Sequence, residues 1–201
     1  MFLLTRPTPV QINRYILEQR ASVLSYAAVG ATSDMQKPAG FEVDHNRVLL
    51  GSGRNTFEHA KTALEAWKMF DIGWCSIAPS SSPLQKGTIV AIVTKHCGIW
   101  SMNAARIVYT IDDHISQNNN SHSTARFGFA YGTLADHSER GEERFAVEWN
   151  SADDNVWFDI YAFSRPRHVL ARMGYPLARM LQKRFAKNAM KAMTTAMVKS
   201  K

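Results

Sequence analysis

The sequence predicts an α+β fold in which one curved antiparallel sheet wraps on a long C-terminal helix. Three observations predict it. Six short runs rich in β-branched and aromatic residues follow one another between positions 74 and 163, each bounded by Gly, Pro, Ser, Asn or Asp. The gaps between these runs are too short for crossover helices, so neighbouring strands should run antiparallel. After Ser164-Arg165-Pro166 the pattern changes to a helical period, with Leu177, Leu181, Phe185 and Ala189 or Ala192 on one face. Closing the sheet on that helix buries the apolar face of each.

The elements follow in chain order. Thr8-Pro9 reads as a helix start, a hydroxyl cap followed by proline in the first turn. The segment to about Arg20 carries Val10, Ile12, Ile16 and Leu17. Its Arg6 and Arg14, with no acid before Glu18, faintly resemble an organelle presequence; a helix packed on the domain is the preferred reading. Residues 27–40 are rich in breakers and read as loop. Residues 1–40 are therefore a helix and loop packed on a domain spanning 41–201. Phe41 to Leu50 alternates as a strand and ends at Gly51-Ser52-Gly53. Asn55 or Thr56 can cap the next helix, which carries Phe57, Ala60, Leu64 and Trp67 or Lys68 at helical spacing and stops near 69–73.

The six strand-like runs are Trp74–Ala78, Thr88–Lys95, Ala105–Ile111, Ala125–Thr133, Glu143–Trp149 and Val156–Phe163. Gln117–Ser123 is a polar, Asn-rich hairpin tip. A short helical piece runs from Pro166 to Met173, Gly174 stops it, and Pro176 opens the long final helix.

Composition narrows the function classes. The chain has 201 residues, 45% apolar and 20% charged, which is enough for a real core and excludes a fibre, a coiled coil or a disordered tail. Its two cysteines, Cys75 and Cys97, fit a reducing compartment. No apolar run reaches the ~20 residues that a spanning helix needs. The short apolar start before Arg6-Pro7 does not read as a secretory signal. A cytoplasmic location is the expectation, with an organelle or organelle-envelope surface as the alternative.

The net charge of +7 is carried by one end. Ten Lys or Arg and no acid lie from Arg165 onward, which leaves residues 1–164 slightly acidic. Within the final helix Arg179, Lys183, Lys187 and Lys191 recur once per turn. A solvated outer face is the plain reading of this stripe. The functional ones are an anionic membrane surface or an acidic protein partner. Nucleic acid ranks low, because no aromatic interleaves the stripe and the body is acidic.

Several linked motifs resemble a known family. They are Val48-Leu49-Leu50-Gly51-Ser52-Gly53-Arg54, then Ala63-Leu64-x-x-Trp67-Lys68-Met69-Phe70, then Arg126 to Leu134 (Arg-Phe-Gly-Phe-Ala-Tyr-Gly-Thr-Leu). Gly141-Glu142-Glu143-Arg144-Phe145, Val156-Trp157-Phe158-Asp159 and Phe163-Ser164-Arg165-Pro166 follow. Gly174-Tyr175-Pro176 and Gln182-Lys183-x-Phe185-Ala186 complete the set. In this order they resemble the domain-of-unknown-function 1990 family of bacteria and plants, over roughly residues 5–195. The element order also looks like the helix-grip architecture of the START and polyketide-cyclase-like superfamily. That resemblance implies a cavity between sheet and C-terminal helix, and a small apolar or amphipathic ligand within it.

Candidate site residues follow from that expectation. Arg106, Arg126 and Glu142 are the polar anchors, and Tyr131, Trp157 and Tyr161 the walls. Neighbours in a strand point to opposite faces, so only one of Glu142 and Glu143 can point inward. Along 156–163, Trp157, Asp159, Tyr161 and Phe163 share one face and Phe158, Ile160 and Ala162 the other; the pattern does not say which faces the helix. Gly51-x-Gly53 lacks the third glycine of a dinucleotide loop, having Thr56 in that position, so it reads as a tight turn. Histidines are scattered and no Cys-x-x-Cys occurs, so neither a metal nor a cofactor is expected. His137 reads as a turn residue, and His96 and Cys97 diverge as strand neighbours. An enzyme of the cyclase or hydrolase kind needs an acid–base pair that the sequence does not locate, so the reading leans away from catalysis.

Overall fold

The computed structural model describes residues 1–96, 98–116, 123–166 and 175–198. The Asn-rich tip, the short helical piece after Pro166 and Cys97 fall outside these residues. A two-residue strand, β1 (Phe2–Leu3), precedes helix α1 (Pro9–Glu18). Thr8 caps α1 in a capping box: its hydroxyl accepts from the Gln11 amide, and the Gln11 side chain reaches back to the Thr8 backbone. Strand β2 (Glu42–Ser52) leads to α2 (Arg54–Glu65), a short 3-10 turn at 68–70, and strands β3 (Cys75–Ala78) and β4 (Ile89–His96). Long strands β5 (Ile99–Ser116), β6 (Ser123–Thr133), β7 (Glu139–Asn150) and β8 (Asn155–Pro166) follow, and then α3 (Tyr175–Val198).

Among the described residues the strands form one eight-stranded sheet in the order β2-β8-β7-β6-β5-β4-β3, with β1 paired to β5. All pairings are antiparallel. This is the expected α+β helix-grip arrangement. Because β2 and β3 are opposite edges, the α2 segment joining them must cross the sheet's inner face.

The cap of α2 differs from the expectation. Gly53, at φ 87°, occupies the N-cap rather than Asn55 or Thr56. Left-handed backbone of this kind favours glycine. The Thr56 hydroxyl instead donates back to the Ser52 carbonyl at 2.6 Å. The helix ends sooner than the apolar spacing implied. Trp67 turns left-handed at φ 55° and opens the 3-10 turn, which delivers both Trp67 and Phe70 into the core.

Both sheet faces are covered. The inner face packs Phe129, Phe145, Phe158 and Ile160 against Phe57 and Leu64 of α2, Met69 and Phe70 of the turn, and Ala189 and Met193 of α3. Burying each large apolar side chain contributes roughly 1.5–3 kcal/mol. The outer face is covered by residues 1–41. There Tyr15 of α1 packs on Ala91, Val93, Met102 and Ala104, and Tyr26, Ala31 and Phe41 pack on Phe163.

Candidate functional site

Strand register arranges the inner face in rows. One row holds Phe129, Phe145, Ile160 and Asn46, which is large and mostly apolar. The next holds Ile107, Tyr131, Glu143, Ala162 and Asp44. Beyond it come Ala105 and Thr133 on β5 and β6, and Gly141 and Ser164 on β7 and β8. The shrinking of side chains from the first row to the third leaves space under residues 181–186 of α3. That space is a cavity of about 330 Å³, walled by Phe70, Trp74, Ile92, Tyr131, Ile160 and Phe185. Exposed Phe2, Ser138 and Lys183 border it and mark its opening to solvent.

Helix α3 is clamped over this space by polar contacts. Gln182 donates to both Glu139 carboxylate oxygens and to the Ser164 hydroxyl, each at 2.9 Å. Arg179 grips Asp44 with two guanidinium nitrogens, one of them at 2.7 Å. The Trp74 indole donates to Asn188 at 3.0 Å, and the Arg184 guanidinium lies 5.2 Å over the Trp74 ring.

The central polar pair is Tyr131 and Glu143. The Tyr131 hydroxyl donates to Glu143 Oε2 at 2.6 Å. Protein surrounds this carboxyl while it borders the cavity, and burial pushes its pKa up to about 7 against the opposing pull of the Tyr131 bond. Burial and the nearby Glu143 charge push the Tyr131 hydroxyl well above its ordinary value. Burial also raises Glu139 and Cys75 and holds the His137 imidazole down near 4. His137 is therefore neutral at pH 7, and its Nδ1 accepts from the Glu139 amide at 3.0 Å. A carboxyl at about 7 takes or gives a proton near neutrality, and when ionised it can receive a ligand N–H or O–H.

A family model described as a domain of unknown function, DUF1990, matches residues 25–192. The chain belongs to the DUF1990 family. A UPF0548 protein of Dictyostelium discoideum is 33% identical over 211 residues, covering 98% of this chain and 95% of the relative. Among solved structures, a hypothetical protein from Helicobacter pylori aligns with a TM-score of 0.52 at 10% identity, over 87% of this chain and 98% of that one. A START superfamily protein from Mycobacterium smegmatis aligns with a TM-score of 0.43 at 11% identity, over 78% of this chain and 99% of that one. At such identities the likeness to the Helicobacter pylori structure concerns the fold alone.

In this DUF1990 chain the cavity takes only part of the residue set expected from sequence. Tyr131 lines it. Glu142 borders it, yet its carboxylate is spent on the outer face, where it accepts from the Tyr26 hydroxyl at 2.6 Å and from the Gly30 and Thr32 amides at 2.8 and 3.0 Å. Trp157 and Tyr161 are corrected from cavity walls to outer-face residues. The alternate set, Val156, Phe158 and Ile160, enters the inner core. Trp157 lies under the Arg47 guanidinium, and the Tyr161 hydroxyl donates to the Met35 carbonyl at 2.7 Å.

Arg106 and Arg126 likewise alternate with inward residues and lie outside. Arg106 donates to the Arg20 and Ser22 carbonyls, and Arg126 pairs with Asp113 at 2.8 Å. The buried ion pair on that face is Arg144–Asp159 at 2.8 Å, with His45 on the second Asp159 oxygen at 2.6 Å. On α3, Lys183, Lys187 and Lys191 are exposed, whereas Arg179 is bound to Asp44.

Glu143 is the site residue that the sequence reading missed. The signal was present: Glu143 shares its strand face with Phe145, Val147 and Trp149, and Glu142 shares the other with Arg144, Ala146 and Glu148. The more apolar set marks the inner face.

Proposed function

We propose that the chain is a binding module for a small apolar or amphipathic molecule held between the sheet and α3. The observation that carries this reading is the cavity of about 330 Å³, aromatic along its walls, with the Tyr131–Glu143 pair as a polar fixture. That volume and that mix of walls suit a small ligand oriented by a few polar groups. The test is native mass spectrometry of the protein purified from its own source, followed by denaturation and small-molecule analysis. A near-stoichiometric apolar or amphipathic compound supports the reading. A clean apo mass, together with no uptake of added neutral apolar dyes, overturns it.

The exposed Lys183, Lys187 and Lys191 favour a second role beside the first, docking of α3 on an anionic membrane surface. Lys183 also borders the cavity, so docking would bring the opening near the lipid. Each lysine near such a surface contributes about 1 kcal/mol. Replacing all three by Glu should abolish co-sedimentation with phosphatidylserine vesicles. Unchanged co-sedimentation removes this second role.

A further inference from the structure

We propose that the ligand's polar end is a protonated amine, received by the Glu143 carboxylate. The inference rests on the binding reading above and names the chemistry of the occupant.

The groups around the cavity set the argument. Tyr131 occupies one Glu143 oxygen. No other hydrogen bond or ion pair to Glu143 is present among the described residues. Glu139 lies in the same lining, with both oxygens on the neutral Gln182 amide and the Arg179 guanidinium acting on it from nearby. Asp44 is matched by Arg179. His137 contributes no charge at neutral pH. Lys183, the cation in the lining, is exposed at the opening. The interior therefore offers carboxylate acceptors against aromatic walls.

An anionic ligand would meet Glu143 and Glu139 at close range, where like charges in a poorly solvated space repel strongly. A neutral ligand offers an ionised Glu143 no counter-charge, so the carboxyl stays partly protonated. An ammonium group supplies that counter-charge and favours the ionised carboxylate. The aromatic side chains of Phe70, Trp74 and Phe185 in the lining hold the apolar body.

The test uses three probes with one apolar body: 3-phenylpropylamine, 3-phenylpropanol and 3-phenylpropionate. Their binding to the full chain is measured by calorimetry at pH 7 and low salt. N-phenyl-1-naphthylamine fluorescence serves as an independent reporter of cavity occupancy. The amine is expected to bind at least tenfold more tightly than the alcohol, with the carboxylate weakest. Amine binding should also release a fraction of a proton, read from the buffer dependence of the heat, because Glu143 ionises as the ammonium arrives. In Glu143→Gln the amine's advantage and the proton release should vanish while the alcohol and the naphthylamine still bind.

Equal binding of amine and alcohol to the wild type overturns the inference and leaves the binding reading standing. So does an amine preference that survives in Glu143→Gln. Failure of all three probes and of the naphthylamine overturns both.

Discussion

Glu142 and Glu143 are neighbours in one strand, and their carboxylates serve opposite faces of the sheet. Glu142 points outward and fastens the 26–32 segment; Glu143 points inward and meets Tyr131 in the cavity. The pleat enforces the division, since successive side chains alternate across a strand. One carboxylate is thereby spent on the fold and the other borders the cavity, although their chemistry is identical.

Glu142→Ala should destabilise the fold by roughly 3–5 kcal/mol, because it removes the acceptor shared by the Tyr26 and Thr32 hydroxyls and the Gly30 and Thr32 amides. Chemical denaturation measures the loss. Hydrogen exchange at the Gly30 and Thr32 amides should accelerate more than exchange in β6. Uniform acceleration would mean that Glu142 does not locally anchor the segment.

Glu143 makes the fold sensitive to pH. Its pKa is raised to about 7 in the folded chain, against an ordinary carboxyl value of 4.5. The folded state therefore binds the proton more tightly. The associated stability is complete below about 4.5 and is lost as pH rises through about 7. Glu143→Gln should flatten this slope and raise stability at pH 8 by about 1–3 kcal/mol. Thermal melts of both proteins from pH 5 to 8 measure it. Parallel curves would contradict the buried-carboxyl assignment.

The succession of strands along the chain and the final helix are legible because Gly, Pro and Asn breakers bound the apolar runs, and because Pro176 opens a clear helical period. The inward face of β8 was not legible. Trp157, Tyr161 and Phe163 are as apolar as Phe158 and Ile160, because both faces of the sheet are covered and alternation loses its contrast. That ambiguity is why Trp157 and Tyr161 were expected in the cavity. The gap that forms the cavity was equally hidden. It depends on Gly141, Ala162 and Ser164 falling on adjacent strands under α3, a coincidence of register between residues distant in sequence.

Arg144 and Asp159 form a buried pair on the outer face, and Arg144 also donates to the Thr32 and Ser33 carbonyls. Arg144→Met should cost about 3–5 kcal/mol, since it leaves the Asp159 carboxylate buried with only His45 beside it. Combining it with Asp159→Leu should cost less than the sum of the two single changes, as a double-mutant cycle in denaturant would show. Strict additivity would deny the pairing.

Gly132 is required by close approach. A Cβ there would collide with the Tyr26 hydroxyl and press on Leu24. Gly132→Val should therefore push Tyr26 off Glu142 and destabilise by about 1–3 kcal/mol. The Tyr26 ring resonances should shift while those of Phe158 in the inner core stay in place. Unchanged stability and spectra would mean that the N-terminal segment does not lie against this strand.

The central claim is that the space between sheet and α3 holds a ligand, and a residue beside Glu143 tests it most directly. Ala162 is the cross-strand partner of both Glu143 and Asp44 and lines the cavity. The measurement is a fluorescence titration with N-phenyl-1-naphthylamine of the wild type and of Ala162→Phe. A ligand held there gives saturable binding at one site per chain in the wild type, and its loss in a variant that still melts cooperatively. Equal binding by the two proteins would place the ligand elsewhere and contradict the account.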